Sequence, residues 1–179
     1  IYSKIVMGAH RDIVVDNDVT VVASYPNGAT GCFITCTHDP IGTDRLETDL
    51  EGGKIVVDDS KTATVYRLRK GEDEMNTSMS MVDVAKLFQG GGTDGLYTTE
   101  TFENTDGWGV QHSTVLENFA QNILNGTPLI APGSDGIYGV ELANAILLST
   151  WPGTAVDVPV DQDLYLAELH TRIRHEGKY

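Results

Sequence analysis

Trp108 and His112 stand four residues apart, and together they have the means to hold a polyhydroxylated ligand. An indole ring stacks on the apolar face of a sugar, and a histidine one turn away hydrogen-bonds a hydroxyl. Concave binding sites commonly combine an aromatic wall with a few polar groups. The same pair has a plainer role open to it: an indole that anchors a loop on the core and a solvated imidazole at a helix start. His38, followed by Asp39-Pro40, is expected at the end of a strand. There it would donate to a hydroxyl, shuttle a proton near neutral pH, or cap a turn. Trp108, His112 and His38 are the candidate substrate contacts.

Other arrangements are weaker. Cys32, Cys36 and His38 fall on one face of the same expected strand, which brings zinc to mind. Ligands of a tetrahedral site lie about 2.3 Å from the metal. Cys32 is too far along the strand from His38 to share one, so no metal is expected. The two thiols are about 13 Å apart by strand rise, too far for a disulfide, and read as small buried apolar groups. Arg45 and Glu47 flank Leu46; Arg45 suits a carboxylate or phosphate ligand, but a cross-strand ion pair is the simpler expectation. Gly90-Gly-Gly-Thr-Asp-Gly95 has the form G-x-G-x-x-G. The residues after it open a helix poorly, so it reads as a loop rather than a dinucleotide turn. Asp12, Asp16 and Asp18 lack the pattern of a calcium loop and read as solvated turn residues.

Elements must carry these residues. Ile13 to Tyr25 is rich in β-branched residues, Asn27-Gly28 signals a hairpin, and Ala29 to Thr37 is the return strand. Further strands are expected over Asp44–Asp49, Lys54–Val57 and Thr62–Leu68, with turns at Glu51–Lys54 and Asp58–Ser60. Residues 69–107 are polar, glycine-rich and weakly periodic, and read as a long irregular segment in which Asp83–Phe88 forms a short helix or strand. The last third is helical. Val115, Phe119 and Ile123 share a face, and Asn125-Gly126 with Pro128 stops that helix. A second helix follows Ser134 or Asp135 as N-cap, with Ile137, Val140, Asn144, Leu147 and Trp151 along one side. A third is capped by Asp161, its apolar side Leu164, Leu166, Leu169 and Ile173. Strands first and helices later make an α+β fold: a large, open, mostly antiparallel sheet covered on one face by helices.

Composition narrows the class. The chain has 179 residues, 40% hydrophobic and 21% charged, enough for one domain with a core. Its net charge of −14 repels phosphate backbones and anionic membranes, so neither nucleic acid nor a membrane is an expected partner. No apolar run approaches the roughly 20 residues that span a bilayer. Two unpaired cysteines and the lack of a signal peptide suit the cytoplasm. In that setting Asn76-Thr-Ser and Asn125-Gly-Thr are glycosylation sequons in form only.

Several blocks resemble the C-terminal domain of the Gfo/Idh/MocA oxidoreductases. They are Tyr25-Pro-Asn-Gly-Ala-Thr-Gly31, Thr37-His38-Asp39 with Gly42-Thr-Asp-Arg-Leu-Glu47, Gly53-Lys-Ile-Val56, Phe119-Ala-Gln-Asn-Ile-Leu-Asn-Gly-Thr-Pro128 and Glu141-Leu-Ala-Asn-Ala145. Their order and spacing, more than any single block, carry the likeness. The resemblance implies that residues 1–179 are one substrate-binding and oligomerisation domain, a fragment of a longer two-domain chain; the first residue, Ile1, fits such a cut. It implies an NAD- or NADP-dependent oxidoreductase acting on a sugar, inositol or related polyol, and a homo-oligomer formed through the open sheet face. The family's proton-transfer lysine sits in a Glu-Lys-Pro motif that this chain lacks. Its aspartate and histidine belong to a helix that would precede Ile1. No catalytic or cofactor-binding residue is therefore assigned here, and the fragment alone is expected to be inactive. The competing expectation is a stand-alone carbohydrate-binding or assembly module without a reaction of its own.

Overall fold

The computed structural model describes residues 1–89, 95–107 and 109–176. The fold is α+β, with antiparallel strands throughout, as the sequence implied. The strands form two hydrogen-bonded sheets rather than one, of three and four strands. The chain divides into two compact units: Ile1–Pro40 with Ser113–Tyr179, and Ile41–His112 between them.

The first unit holds β1 (Tyr2–Met7), β2 (Asp16–Ser24) and β3 (Thr30–Cys36), in that spatial order. Tyr25-Pro-Asn-Gly28 closes the β2–β3 hairpin: Gly28 has φ +88° and its N–H donates to the Tyr25 carbonyl at 2.9 Å. Register places Ser3 opposite Val21 and Val21 opposite Phe33, so these share one face with Ile5 and Val19. Tyr2, Val6, Val22, Cys32 and Ile34 occupy the other.

Three helices complete this unit: α3 (Val110–Asn125, its first turn in the second unit), α4 (Gly136–Thr150) and α5 (Gln162–Glu176). α4 lies on β1 through small residues. Ser3, Ala145, Leu148 and Ser149 are almost fully enclosed. The Ser3 N–H donates to Ser149 Oγ at 3.0 Å, Ser3 Oγ donates to the Ile146 carbonyl at 2.7 Å, and Ser149 Oγ donates to the Thr154 carbonyl at 2.7 Å. Each buried hydroxyl thus has a partner, which its burial requires.

The helices turn differently from their hydropathy. On α4 the buried residues are Ala145, Leu148 and Ser149, while Ile137 and Val140 stay exposed. On α5 Tyr165, Leu169 and Arg172 are the sheltered side, and Leu164, Leu166 and Ile173 are about half exposed. Tyr165 stacks on Trp151, with the Arg172 guanidinium 5.8 Å from the centre of the same indole. Asp161 does cap α5: its Oδ1 accepts from the N–H groups of Asp163 and Leu164, both at 3.0 Å. α3 stops at Gly126, φ +69°, and its Asn118 and Asn122 side chains hold the carbonyls of Pro128 and Thr127.

The second unit is the sheet β4 (Arg45–Leu50), β5 (Gly53–Asp58), β6 (Thr62–Leu68) and β7 (Tyr97–Glu103), in sequence order, with α1 (Glu72–Ser78) and α2 (Met81–Gln89). The segment expected to be irregular therefore carries two helices and the edge strand β7. One sheet face carries Leu46, Ile55, Val57, Val65 and Phe102; the other carries Arg45, Glu47, Lys54, Val56 and Tyr66. Gly53 has φ +140°, and a Cβ there would lie 1.9 Å from the Tyr66 carbonyl oxygen, so only glycine fits. Asp59 and Ser60 both have positive φ, +55° and +50°, which gives the β5–β6 turn the twist of a tight hairpin.

Candidate functional site

His38 stands two residues after the end of β3, and its Nε2 lies 2.9 Å from Asp18 Oδ2 on β2. Antiparallel register explains the meeting, because Asp18 pairs with Cys36, two residues before His38. Asp18 is therefore a strand residue committed to a histidine, not the solvated turn residue its spacing suggested. The two side chains are 23% and 34% exposed, sheltered enough to hold a fixed geometry.

A third residue joins them. His10, between β1 and β2, sets its ring edge-on to His38, with centroids 5.3 Å apart and planes at 69°. Its φ of +55° is unusual for a residue with a Cβ. Asn17, 4% exposed, holds the loop there. The Asn17 Nδ2 donates to the Ala9 carbonyl at 2.9 Å, and its Oδ1 accepts from the Ala9 N–H at 2.8 Å. Arg11 reaches across to donate to the Thr37 carbonyl, next to His38. His10 and Asn17 escaped the sequence reading, and Asp18 was misread there; the alternation of β2, carried across the Asn27-Gly28 hairpin, was the signal that places Asp18 beside the end of β3.

The other candidates fall elsewhere. His112 lies in the first turn of α3; it is exposed, and its N–H donates to the Gly109 carbonyl at 3.1 Å. His38 belongs to the first unit and His112 to the second. Trp108 lies outside the described residues, as do residues 90–94 of the glycine-rich stretch. Arg45 makes the expected cross-strand pair, with Nη1 2.8 Å from Asp58 Oδ1 and Nη2 2.7 Å from Glu47 Oε2. Lys54 bonds Glu47 and lies 3.2 Å from Asp49. Bonds from Lys54 and then Arg45 hold the Glu47 carboxyl below the usual glutamate range. In return, Glu47 first and then Asp58 raise Arg45, and Glu47 first and then Asp49 raise Lys54.

Each unit carries a cleft of substrate size. In the first, about 550 Å³ opens between β3 and α4, lined by Val21, Phe33, Leu142, Ile146 and Val158. In the second, about 570 Å³ lies over Lys54, Val56, Tyr66, Tyr97 and Glu72. Both cysteines are free, and among the described residues no group of three His, Cys, Asp or Glu is arranged to hold a metal ion.

The sequence matches the family described as "Oxidoreductase family, C-terminal alpha/beta domain" over residues 6–158. The chain belongs to the Gfo/Idh/MocA oxidoreductase family. No curated protein matches it. The family region of this Gfo/Idh/MocA domain begins inside β1 and ends just before Pro159, so α5 lies beyond it. The first turn of α1 carries Glu72, Asp73 and Glu74, negative charges that complement the helix dipole. Among the described residues no helix is long and apolar enough to cross a membrane.

Proposed function

We propose that this chain is the substrate-binding and oligomerisation domain of an NAD(P)-dependent oxidoreductase that acts on a sugar, inositol or related polyol. The family match over residues 6–158 carries the reading. The dinucleotide, NAD or NADP, supplies the hydride chemistry from a separate cofactor domain, and no residue of this chain is assigned to it. His38, steadied by Asp18, is the substrate contact with the best support from geometry. His112 and Trp108 are proposed as further contacts.

The outer sheet faces support the oligomer. Leu46 and Phe102 of the four-stranded sheet are 62% and 50% exposed, and Val22 and Ile34 of the three-stranded sheet are 53% and 69%. Contiguous apolar side chains on a sheet face are costly in water and favour burial against another protein surface. A second copy of the domain is the proposed cover.

The test is an assay of the complete gene product for oxidation of sorbitol or myo-inositol, followed by the absorbance of the reduced nicotinamide. Turnover with either NAD or NADP supports the reading. Polyol binding by a product that never reduces a dinucleotide would instead make the domain a carbohydrate-binding module.

A further inference from the structure

The cluster at the end of the three-stranded sheet is built with more care than a surface turn needs. Asp18, when ionised, can only accept hydrogen bonds, so the hydrogen between it and His38 sits on Nε2. In the neutral ring Nδ1 is then an acceptor, and among the described residues it has no hydrogen-bond partner. His10 packs edge-on against that ring, with centroids 5.3 Å apart. Its left-handed backbone is an unfavourable conformation, held in place by both hydrogen-bonding atoms of the buried Asn17 amide on the preceding residue. Strain over-determined in this way gathers at functional sites.

We infer that His10, His38 and Asp18 form a hydroxyl-recognition site, in which His38 Nδ1 accepts a hydrogen bond from a polyol and Asp18 positions the ring. The choice of a polyol rests on the oxidoreductase reading; the site itself rests on the geometry. Asp18 acts through His38 by fixing its tautomer, and His10 packs edge-on against the same ring.

The experiment is protection from diethyl pyrocarbonate, which acylates accessible unprotonated imidazole nitrogens, with modification of each histidine read by peptide mass spectrometry on the intact protein. Myo-inositol and sorbitol are the probes, and His170 and His175 are internal controls. Protection of His10 and His38, with the two controls unprotected, is expected. Asp18→Asn should raise the half-protecting polyol concentration about five- to tenfold, because an amide permits the opposite tautomer and loses a charge-assisted bond. Asp18→Glu should restore most of it, a rescue that a merely structural role would not give. If Asp18→Asn fails to fold, His10→Ala carries the same test, since the His10 side chain is exposed. His38 left unprotected, or protection spread equally over the controls, overturns the site. The oxidoreductase reading fails independently, by a complete gene product that reduces no dinucleotide, while the protection pattern stands.

Discussion

Asn17 carries a disproportionate part of the local structure. Its enclosed amide makes both of its bonds to Ala9, and its own carbonyl accepts from the Thr37 N–H at 3.0 Å, which links the β1–β2 loop to the end of β3. Asn17→Ala would leave the Ala9 N–H and carbonyl unpaired. The expected cost is about 1–3 kcal/mol, read from the urea midpoint, together with loss of the His10–His38 ring contact in the imidazole shifts. Glu47 gives a prediction about pH. Its carboxyl titrates below the usual glutamate value, so its contribution is present above roughly pH 4.3 and is lost as pH falls through the lowered value. Lys54 titrates above its usual value, so its contribution is fully present below roughly pH 10.4 and is lost as pH rises through the raised value, whereas Arg45, raised as well, keeps its charge across that range. Glu47→Gln should flatten the acid limb of a stability–pH curve and leave the neutral plateau little changed, because these pairs are exposed and screened. An unchanged acid limb would show that the network does not stabilise the fold.

At the scale of elements, two turns separate what glycine must do from what it would improve. Gly53→Ala pushes a Cβ into the Tyr66 carbonyl, and the β4–β5 hairpin should lose roughly 1–3 kcal/mol. Ser60→Gly relieves a positive φ and should gain about 0.5–1 kcal/mol, less the bond from Ser60 Oγ to Asp44. Thermal melts of both variants check the opposite signs. Turn chemistry is also why so much of the sheet was legible: Asn27-Gly28 and Asp58–Ser60 mark hairpins by residue type, and β6 appears with its expected limits, Thr62–Leu68. β7, reading Tyr-Thr-Thr-Glu-Thr-Phe-Glu, was hidden because most of its side chains stay exposed at an edge, where hydropathy leaves no trace. β1 was missed for want of a turn signal before it. The buried side of α4 was misjudged because close approach to β1 selects small residues, Ala145 and Ser149, over the large ones that hydropathy counts. In the candidate site His38 was legible from its place after a strand; its partners were not, because Asp18 and His10 meet it only through register and an unusual backbone angle.

For the molecule as a whole, apolar sheet faces and a net charge of −14 oppose one another. Charge keeps copies apart in dilute salt, while the exposed Leu46 and Phe102 favour association. At about 0.15 M salt the screening length is about 8 Å, so repulsion beyond contact range is weak. Self-association should therefore strengthen with salt, and Leu46→Lys with Phe102→Lys should move the protein towards monomer in sedimentation velocity. An unchanged distribution would remove the four-stranded sheet from the interface.

The hydrogen bond from Ser3 to Ser149 spans most of the chain, and the whole second unit lies between its two ends. A ribosome therefore delivers β1 to β3 long before α4 can cover them. The inserted unit has all its strands by Glu103 and can fold while the first sheet still waits. During synthesis the helix-facing side of that sheet, with Ile5, Val21 and Phe33, stays open, which makes a translating chain paused near His112 the form in greatest need of a chaperone.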